Sequence, residues 1–428
     1  MFFLVYNILS VFLVLPVLAY HYYRSASRGR PAAFRERFGL IPQAQLDILK
    51  SRPVIWLHAV SVGEAIASRP LLKALRSRYP DHAIVISNTT ETGRAIASSF
   101  PEKDLCIYFP FDFLPAVRHA LTAIQPRIVI IMETEIWPNF TREAHRRGIP
   151  LILANGRISD KSFRGYQRFS WFFRQPLRLF SQLCMQTAPD RERIIAIGAP
   201  AEQTVVSGNL KYDIPFRLVG EDEQRELRSR FAIPRLASVL VAGSTHRGEE
   251  QYLLDSYREL LPSHPELFLV LVPRHPERAG EVAALLEQSG LTFCLRSQLA
   301  SQPEKFSCGQ VLLVDTVGEL MQFYALSDLV FMGGSLVPTG GHNLLEPASL
   351  GVPSVFGPHM TNFREIAALV LSFKAGIQIP SPAGLTAACD TLLTDRQQRR
   401  CAGQNGLRMM AETGGATGRH MEVIASRL

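Results

Sequence analysis

The chain has 428 residues, too many for one ordinary hydrophobic core, so two domains are expected. Hydrophobic residues make up 47% and charged residues 20%, a globular balance that excludes a disordered chain. The net charge of +8 calls for an acidic partner; the basic residues are scattered and form no nucleic-acid motif, so an anionic membrane and a phosphorylated substrate fit better than a nucleic acid polymer.

Residues 1–20, MFFLVYNILSVFLVLPVLAY, hold no charge and are followed by Arg24, Arg28, Arg30, Arg35 and Arg37. Crossing a bilayer as a helix takes ~20 residues, so the run reads as a membrane anchor. A cleaved signal peptide would begin with basic residues and end at a small-residue site, and neither is present. The positive flank places everything after Arg24 in the cytoplasm, at the inner membrane if the cell has two. Asn7, Ser10 and Pro16 weaken the run, which leaves an interfacial helix as the alternative to a spanning one.

From Pro53 onward, short apolar runs alternate with amphipathic segments: Val54 to Leu57, Ala83 to Ile86, Arg127 to Met132 and Leu151 to Leu153. A polar stretch from about Gly198 to Gln224 interrupts them. The rhythm resumes with Ser238 to Ala242, Leu267 to Val272, Val311 to Val314, Leu329 to Met332 and Ser354 to Phe356. This is the βα alternation of parallel sheets and predicts two doubly wound α/β domains, whose ligands bind beyond the carboxyl ends of strands. Phe163 to Phe180 reads as one basic, aromatic-rich amphipathic helix, shortened or kinked by Pro176. It suits either an anionic lipid surface or a core helix with a solvated arginine face. The six cysteines, Cys106, Cys184, Cys294, Cys308, Cys389 and Cys401, are widely spaced, form no metal or redox motif and fit a reducing compartment.

The candidate chemistry falls at strand ends. GGSLVPTGGHNLLEP, from Gly333, reads as a glycine-rich cradle for a nucleotide phosphate, with Glu346 in the first turn of the following helix. In WLHAVSVGEA, Glu64 opens a helix after a strand; the helix dipole would keep it ionised and fit to accept a proton, although a plain capping role is equally open. Glu133 and Glu135 end an apolar strand, where burying them unpaired would be costly. Thr89, Thr90 and Thr92 are cap or ligand residues, and Lys211 in GNLKYD could neutralise a phosphate or a carboxylate or be only a linker charge. Arg274 closes another strand, Thr316 to Glu319 repeat the strand, glycine, helix arrangement, and His246 lies at a third such turn. No metal-ligand spacing is legible.

Taken together, HAVSVGE at 58–64, METEIWPN at 132–139, GNLKYD at 208–213, STHRGEE at 244–250, LVPRHPER at 271–278, DTVGEL at 315–320 and GGSLVPTGGHNLLEP at 333–347 closely resemble the 3-deoxy-D-manno-octulosonic acid (Kdo) transferases of Gram-negative bacteria. The resemblance covers nearly the whole chain. It implies a GT-B glycosyltransferase fold, two Rossmann-like domains facing across a cleft, with an anchor at 1–22, an acceptor-binding domain at 23–207 and a CMP-Kdo-binding domain at 208–428 whose last helix is able to pack back on the first. It implies inverting transfer of Kdo from CMP-Kdo to the lipid A precursor, lipid IVA, with no metal and no other cofactor. By the same resemblance Glu64 is the proton acceptor, and Glu133 and Lys211 are transition-state stabilisers. The CMP-binding residues are Pro273, Arg274, Val317, Gly318, Glu319, Asn343, Leu344, Leu345 and Glu346, with the side chains of Val317, Leu344 and Leu345 expected to matter little. The alternatives are another GT-B enzyme or an epimerase using a UDP- or ADP-sugar, and a membrane-tethered protein without turnover.

Overall fold

The computed structural model describes residues 2–27, 33–299 and 306–428; Arg28 and Arg30 of the basic run lie outside them. The chain divides into two compact units, Met1–Asp213 with Thr413–Leu428, and Ile214–Glu412. Each is built on one seven-stranded sheet in which every pair of neighbours is parallel.

The strands of the first unit are β1 (Val54–His58), β2 (Ala83–Asn88), β3 (Leu105–Tyr108), β4 (Pro126–Met132), β5 (Leu151–Gly156), β6 (Gln182–Met185) and β7 (Thr204–Val206). They lie in the order β3-β2-β1-β4-β5-β6-β7. Helices cover both faces, so alternate residues of a central strand are equally apolar. Trp56, Val85, Val129 and Ile131 pack on one side. Ile55, Leu57, Ile84, Ile86, Ile128, Ile130 and Met132 pack on the other, together with Leu71, Leu72 and Leu75 of the helix Val62–Arg78. A fully buried side chain of this kind stabilises by ~1.5–3 kcal/mol.

The strands of the second unit are β8 (Ser238–Thr245), β9 (Leu267–Pro273), β10 (Phe293–Leu295), β11 (Val311–Leu313), β12 (Leu329–Met332), β13 (Ser354–Phe356) and β14 (Gly376–Gln378), ordered β10-β11-β9-β8-β12-β13-β14. In each sheet the winding direction reverses at one place, between β1 and β4 in the first and between β8 and β12 in the second. The crevice outside the strand ends at such a reversal is where open α/β sheets bind ligands.

Three sequence expectations need correction. The stretch 198–224 is not a bare linker: it contains β7, the edge strand of the first sheet, and the turn Leu210–Tyr212, which also belongs to the first unit. Phe163 to Phe180 is two helices, Asp160–Arg168 and Ser170–Leu177, broken at Phe169 (φ −110°, ψ 27°). Phe163, Tyr166 and Phe173 pack on the core while Trp171 stays exposed, and Pro176 lies in the last turn of the second helix, which ends at Leu177. The sheets also carry β3, β6, β10 and β14, which the apolar pattern did not single out.

The chain's last helix, Ala416–Ala425, returns to the first unit, where Ala416, Met421 and Ile424 join the core. Asp213 fixes its start by accepting N–H bonds from Gly415 (2.8 Å) and Thr417 (2.5 Å). His420 is wholly buried; its Nδ1 donates to the Ala416 carbonyl (2.7 Å) while its Nε2 accepts from the Asn155 N–H (3.0 Å), which makes it a neutral imidazole. Asn155 in turn accepts the Leu210 N–H at 2.9 Å, so the turn holding Lys211 is tied to the final helix through one asparagine.

The N-terminal helix, Phe2–Ser27, contains in Phe2–Tyr20 a stretch long and apolar enough to cross a membrane. One side of it is fastened to the first unit: Tyr6 donates to Asp112 (2.8 Å) and Asn7 pairs with Asn139 (3.0 Å). Its other side exposes Leu4, Phe12 and Leu15 by at least 65%.

Candidate functional site

At the reversal point of the first sheet, Glu64 follows β1 and Glu133 follows β4. Ser61 caps the helix Val62–Arg78, and Glu64 sits in its first turn. The Glu64 carboxylate accepts the Val60 N–H (2.8 Å) and the Ser61 hydroxyl (2.9 Å), the reciprocal arrangement of a capping box. Glu64 is nevertheless only 7% exposed, and burial raises its pKa against the pull of the Val60 N–H, with the Glu133 charge adding to the rise. This corrects the expectation that the helix dipole simply keeps it ionised: desolvation outweighs the donors.

Glu133 has a φ of 55°, a left-handed backbone that β strands do not use and that costs a non-glycine residue of order 1–3 kcal/mol. Its N–H is held by the Ala154 carbonyl at 2.8 Å, and its Oε1 lies 3.9 Å from Lys211 Nζ. Glu135 is pushed up to about 7, by burial first and then by the charges of Glu64 and Glu133. Three carboxylates and one lysine therefore share this strand end. Such crowding makes at least one carboxylate hold a proton more tightly than usual, the condition a general base working near neutral pH requires. Thr90 caps the helix Glu91–Ser98 through the Gly93 N–H (3.1 Å), its capping role.

At the reversal point of the second sheet, His246 follows β8 and the glycine-rich loop follows β12. Gly333 is required there, because a Cβ would stand 2.2 Å from the Ser244 carbonyl oxygen. Part of the expected phosphate cradle is already occupied. Glu249, wholly buried, accepts the N–H groups of Gly334 (2.6 Å), His246 (2.7 Å) and Leu336 (3.4 Å), and burial drives its pKa to about 7 against those donors. The helix after the loop is also short, Leu345–Ala348. Among the anion donors that remain are the N–H groups of His342, Asn343 and Leu344, which make no hydrogen bond within the described residues.

Beside them stands His246, which the sequence placed at a strand-end turn, together with His342, which it did not single out. His246 and His342 stack at 5.1 Å, with their Nε2 atoms 2.9 Å apart, so one imidazole donates and the other accepts. Burial lowers both, His342 to about 4, and the neighbouring cationic groups, Arg274 and His275 among them, lower them further. Arg274 itself is exposed at the end of β9, its N–H on the Thr245 carbonyl (2.9 Å). Its charge reaches Glu346, whose pKa burial raises while Asn343 and Arg274 restrain it. The side chains of Leu344 and Leu345 are fully buried, which leaves only their backbone for a ligand.

Pro273 ends β9. Val317 is 84% exposed and Gly318 has a φ of 91°. The Glu319 carboxylate is engaged by Thr316 (2.6 Å) and doubly by Arg296 (2.8 and 3.1 Å); burial alone would raise its pKa, but these donors bring it below the ordinary value. The structure thus gathers Glu64, Glu133, Glu135 and Lys211 in the first unit and Arg274, His246, Asn343 and Glu346 in the second, and adds Glu249 and His342, which the sequence did not single out.

Residues 32–214 match the family model for 3-deoxy-D-manno-octulosonic-acid transferase (kdotransferase). A 3-deoxy-D-manno-octulosonic acid transferase of Haemophilus influenzae is 35% identical over 376 residues, 86% of this chain and 86% of that protein. One of Bordetella pertussis is 31% identical over 379 residues, again 86% of each. Among solved structures, a UDP-GlcNAc 2-epimerase from Neisseria meningitidis covers 87% of this chain and 100% of its own, with a TM-score of 0.53 and 14% identity. At that identity the likeness shows the fold alone: two Rossmann-like α/β units.

Proposed function

The chain belongs to the 3-deoxy-D-manno-octulosonic acid transferase family, and on that premise we propose that it moves Kdo from CMP-Kdo to the phosphorylated, acylated glucosamine disaccharide of the lipid A precursor in lipopolysaccharide biosynthesis, releasing CMP. The observation that carries the reading is the division of labour between the units: a crowded carboxylate cluster at one sheet reversal, a cationic and N–H-rich cluster at the other.

In this mechanism Glu64 takes the proton of the acceptor hydroxyl as its oxygen attacks the anomeric carbon of Kdo. A single displacement with one base inverts that centre. The Ser61 hydroxyl and Val60 N–H fix the carboxylate's orientation. Glu133 and Lys211 stabilise the transition state, with Glu133 raising the basicity of Glu64 and Lys211 facing an anionic oxygen of the reacting sugar or its phosphate. CMP departs as an anion and needs charge stabilisation more than a proton. Arg274 and the N–H groups of residues 342–344 supply it, with Pro273, Val317, Gly318, Glu319, Asn343, Leu344, Leu345 and Glu346 holding the nucleotide, and no metal ion takes part. The N-terminal helix attaches the enzyme to the cytoplasmic side of the inner membrane, and the net charge of +8 favours anionic lipid.

The test is mass spectrometry of the product formed from CMP-Kdo and a tetraacylated, bis-phosphorylated lipid A precursor. One or more added Kdo masses support the reading, whereas binding of UMP or UDP in preference to CMP would overturn it. Glu64→Gln should lose ~10²–10⁴-fold in turnover while CMP affinity is kept; near-normal turnover would remove the base assignment.

A further inference from the structure

An open-sided cavity of about 490 Å³ lies between the N-terminal helix and the loop that follows β3, a volume within the usual ligand-pocket range of about 300–1,000 Å³. We infer that it is the binding site for one acyl chain of the lipid acceptor, which deepens the acceptor reading above and rests on it.

Its walls are mostly carbon, with Ser10, Arg37 and Asp112 among the few polar groups that line it. Leu9, Leu13 and Val17 of the helix face Phe111, Phe113 and Phe172 of the first unit. The wall is rigidly placed: Asp112 takes the Tyr6 hydroxyl on one side and the N–H groups of Asn139 (3.0 Å) and Phe140 (2.8 Å) on the other, so helix and domain share one anchor. The helix that forms one wall turns its opposite side, with Leu4, Phe12 and Leu15, outward as a membrane-facing surface does.

The other end identifies the occupant. Thr89 and Trp137 also line the cavity. The Thr89 N–H bonds the Val60 carbonyl (3.3 Å), and the Val60 N–H bonds the Glu64 carboxylate (2.8 Å). Trp137 closes the same METEIW segment that carries Glu133 and Glu135. An acceptor with its hydroxyl at Glu64 would therefore send an attached chain past these two residues and into the cavity. Thr89 Oγ1 and Trp137 Nε1 are buried and have no protein partner among the described residues, so each leaves a donor unmet. An ester or amide carbonyl at the root of an acyl chain is an acceptor without a donor of its own, their complement.

The experiment uses the full chain in detergent and compares the tetraacylated precursor with its O-deacylated counterpart. Leu13→Trp and Val17→Trp fill the cavity, and Leu15→Trp, on the outward side, is the control. A chain denied two methylenes loses about fourfold for each, so the ratio of kcat/KM for the acylated over the deacylated acceptor should fall at least about tenfold in the first two variants and hold in the third. On the unaltered chain, kcat/KM should climb with acyl length, a measurement that does not depend on any variant folding. A ratio unmoved by either filling substitution, or no length dependence, overturns the inference, as it would if a bulk phospholipid tail filled the cavity. Absence of transfer to either acceptor by the unaltered chain would overturn the acceptor reading itself, and the chain site with it.

Discussion

Acid should unlatch the last helix from the first unit, and the size of the effect follows from His420. Folded, this imidazole is neutral and held down to about 4 from an ordinary 6.5, chiefly by burial, with the Ala416 carbonyl pulling the other way; the charges facing it are Arg419 and Asp213. A histidine depressed in this way is protonated first in the released state. The latch is therefore unaffected above pH 6.5 and loses stability as pH falls from there towards 4. The linkage relation gives a loss of about 2 kcal/mol at pH 5, a ~30-fold rise in the opening constant, and about 3 kcal/mol at pH 4. Hydrogen exchange of peptides covering Ala416–Ala425 and Leu210–Asp213, corrected for the intrinsic rate, reads this directly. Both segments should lose protection together, because Asn155 joins them. His420→Gln should remove most of the pH dependence while lowering protection at neutral pH. Equal protection at pH 8 and pH 5 in the unaltered chain would refute the reasoning.

Glu133→Gln removes a negative charge that raises both Glu64 and Glu135, so the acid limb of the kcat/KM profile should move to lower pH, and an unmoved limb would separate the two carboxylates. Glu249→Ala strips the acceptor from the N–H groups of His246, Gly334 and Leu336; it should cost ~3 kcal/mol or more in guanidinium unfolding and, on the proposed nucleotide site, weaken CMP binding, measured by calorimetry. A chelator should leave turnover of the purified enzyme unchanged; loss restored by a divalent ion would contradict the metal-free mechanism.

What the sequence made legible is what burial makes periodic. The central strands carry long apolar runs because both faces are covered, and β12 and β13 coincide with Leu329 to Met332 and Ser354 to Phe356. The strands that escaped did so because β7, β10 and β14 are three residues long and half-solvated, and because the interior strand β6, Gln182-Leu-Cys-Met, looks like any mixed segment. Glu64, Glu133 and Arg274 were visible as charges at strand ends. The left-handed backbone of Glu133 was not, since it depends on the Ala154 carbonyl of the neighbouring strand. Glu249 and the His246–His342 contact joins residues far apart in the chain, and only the neighbouring of β8 and β12 brings them together. The GEE triplet and the GGHN run were in plain view, but nothing local distinguishes a buried loop clamp from an exposed acid.

The return of Thr413–Leu428 to the first unit makes the second unit an insertion, a cassette spliced into its host at a single locus. Departure at Asp213 and re-entry near Gly415 are fastened to one carboxylate, so deleting 214–412 would leave neighbouring ends that a short linker could join. The second unit could then be exchanged for another α/β unit without rethreading the host. The same topology predicts an inverted truncation phenotype: a nonsense codon after Glu412 would spare every residue of the second unit and damage the first instead.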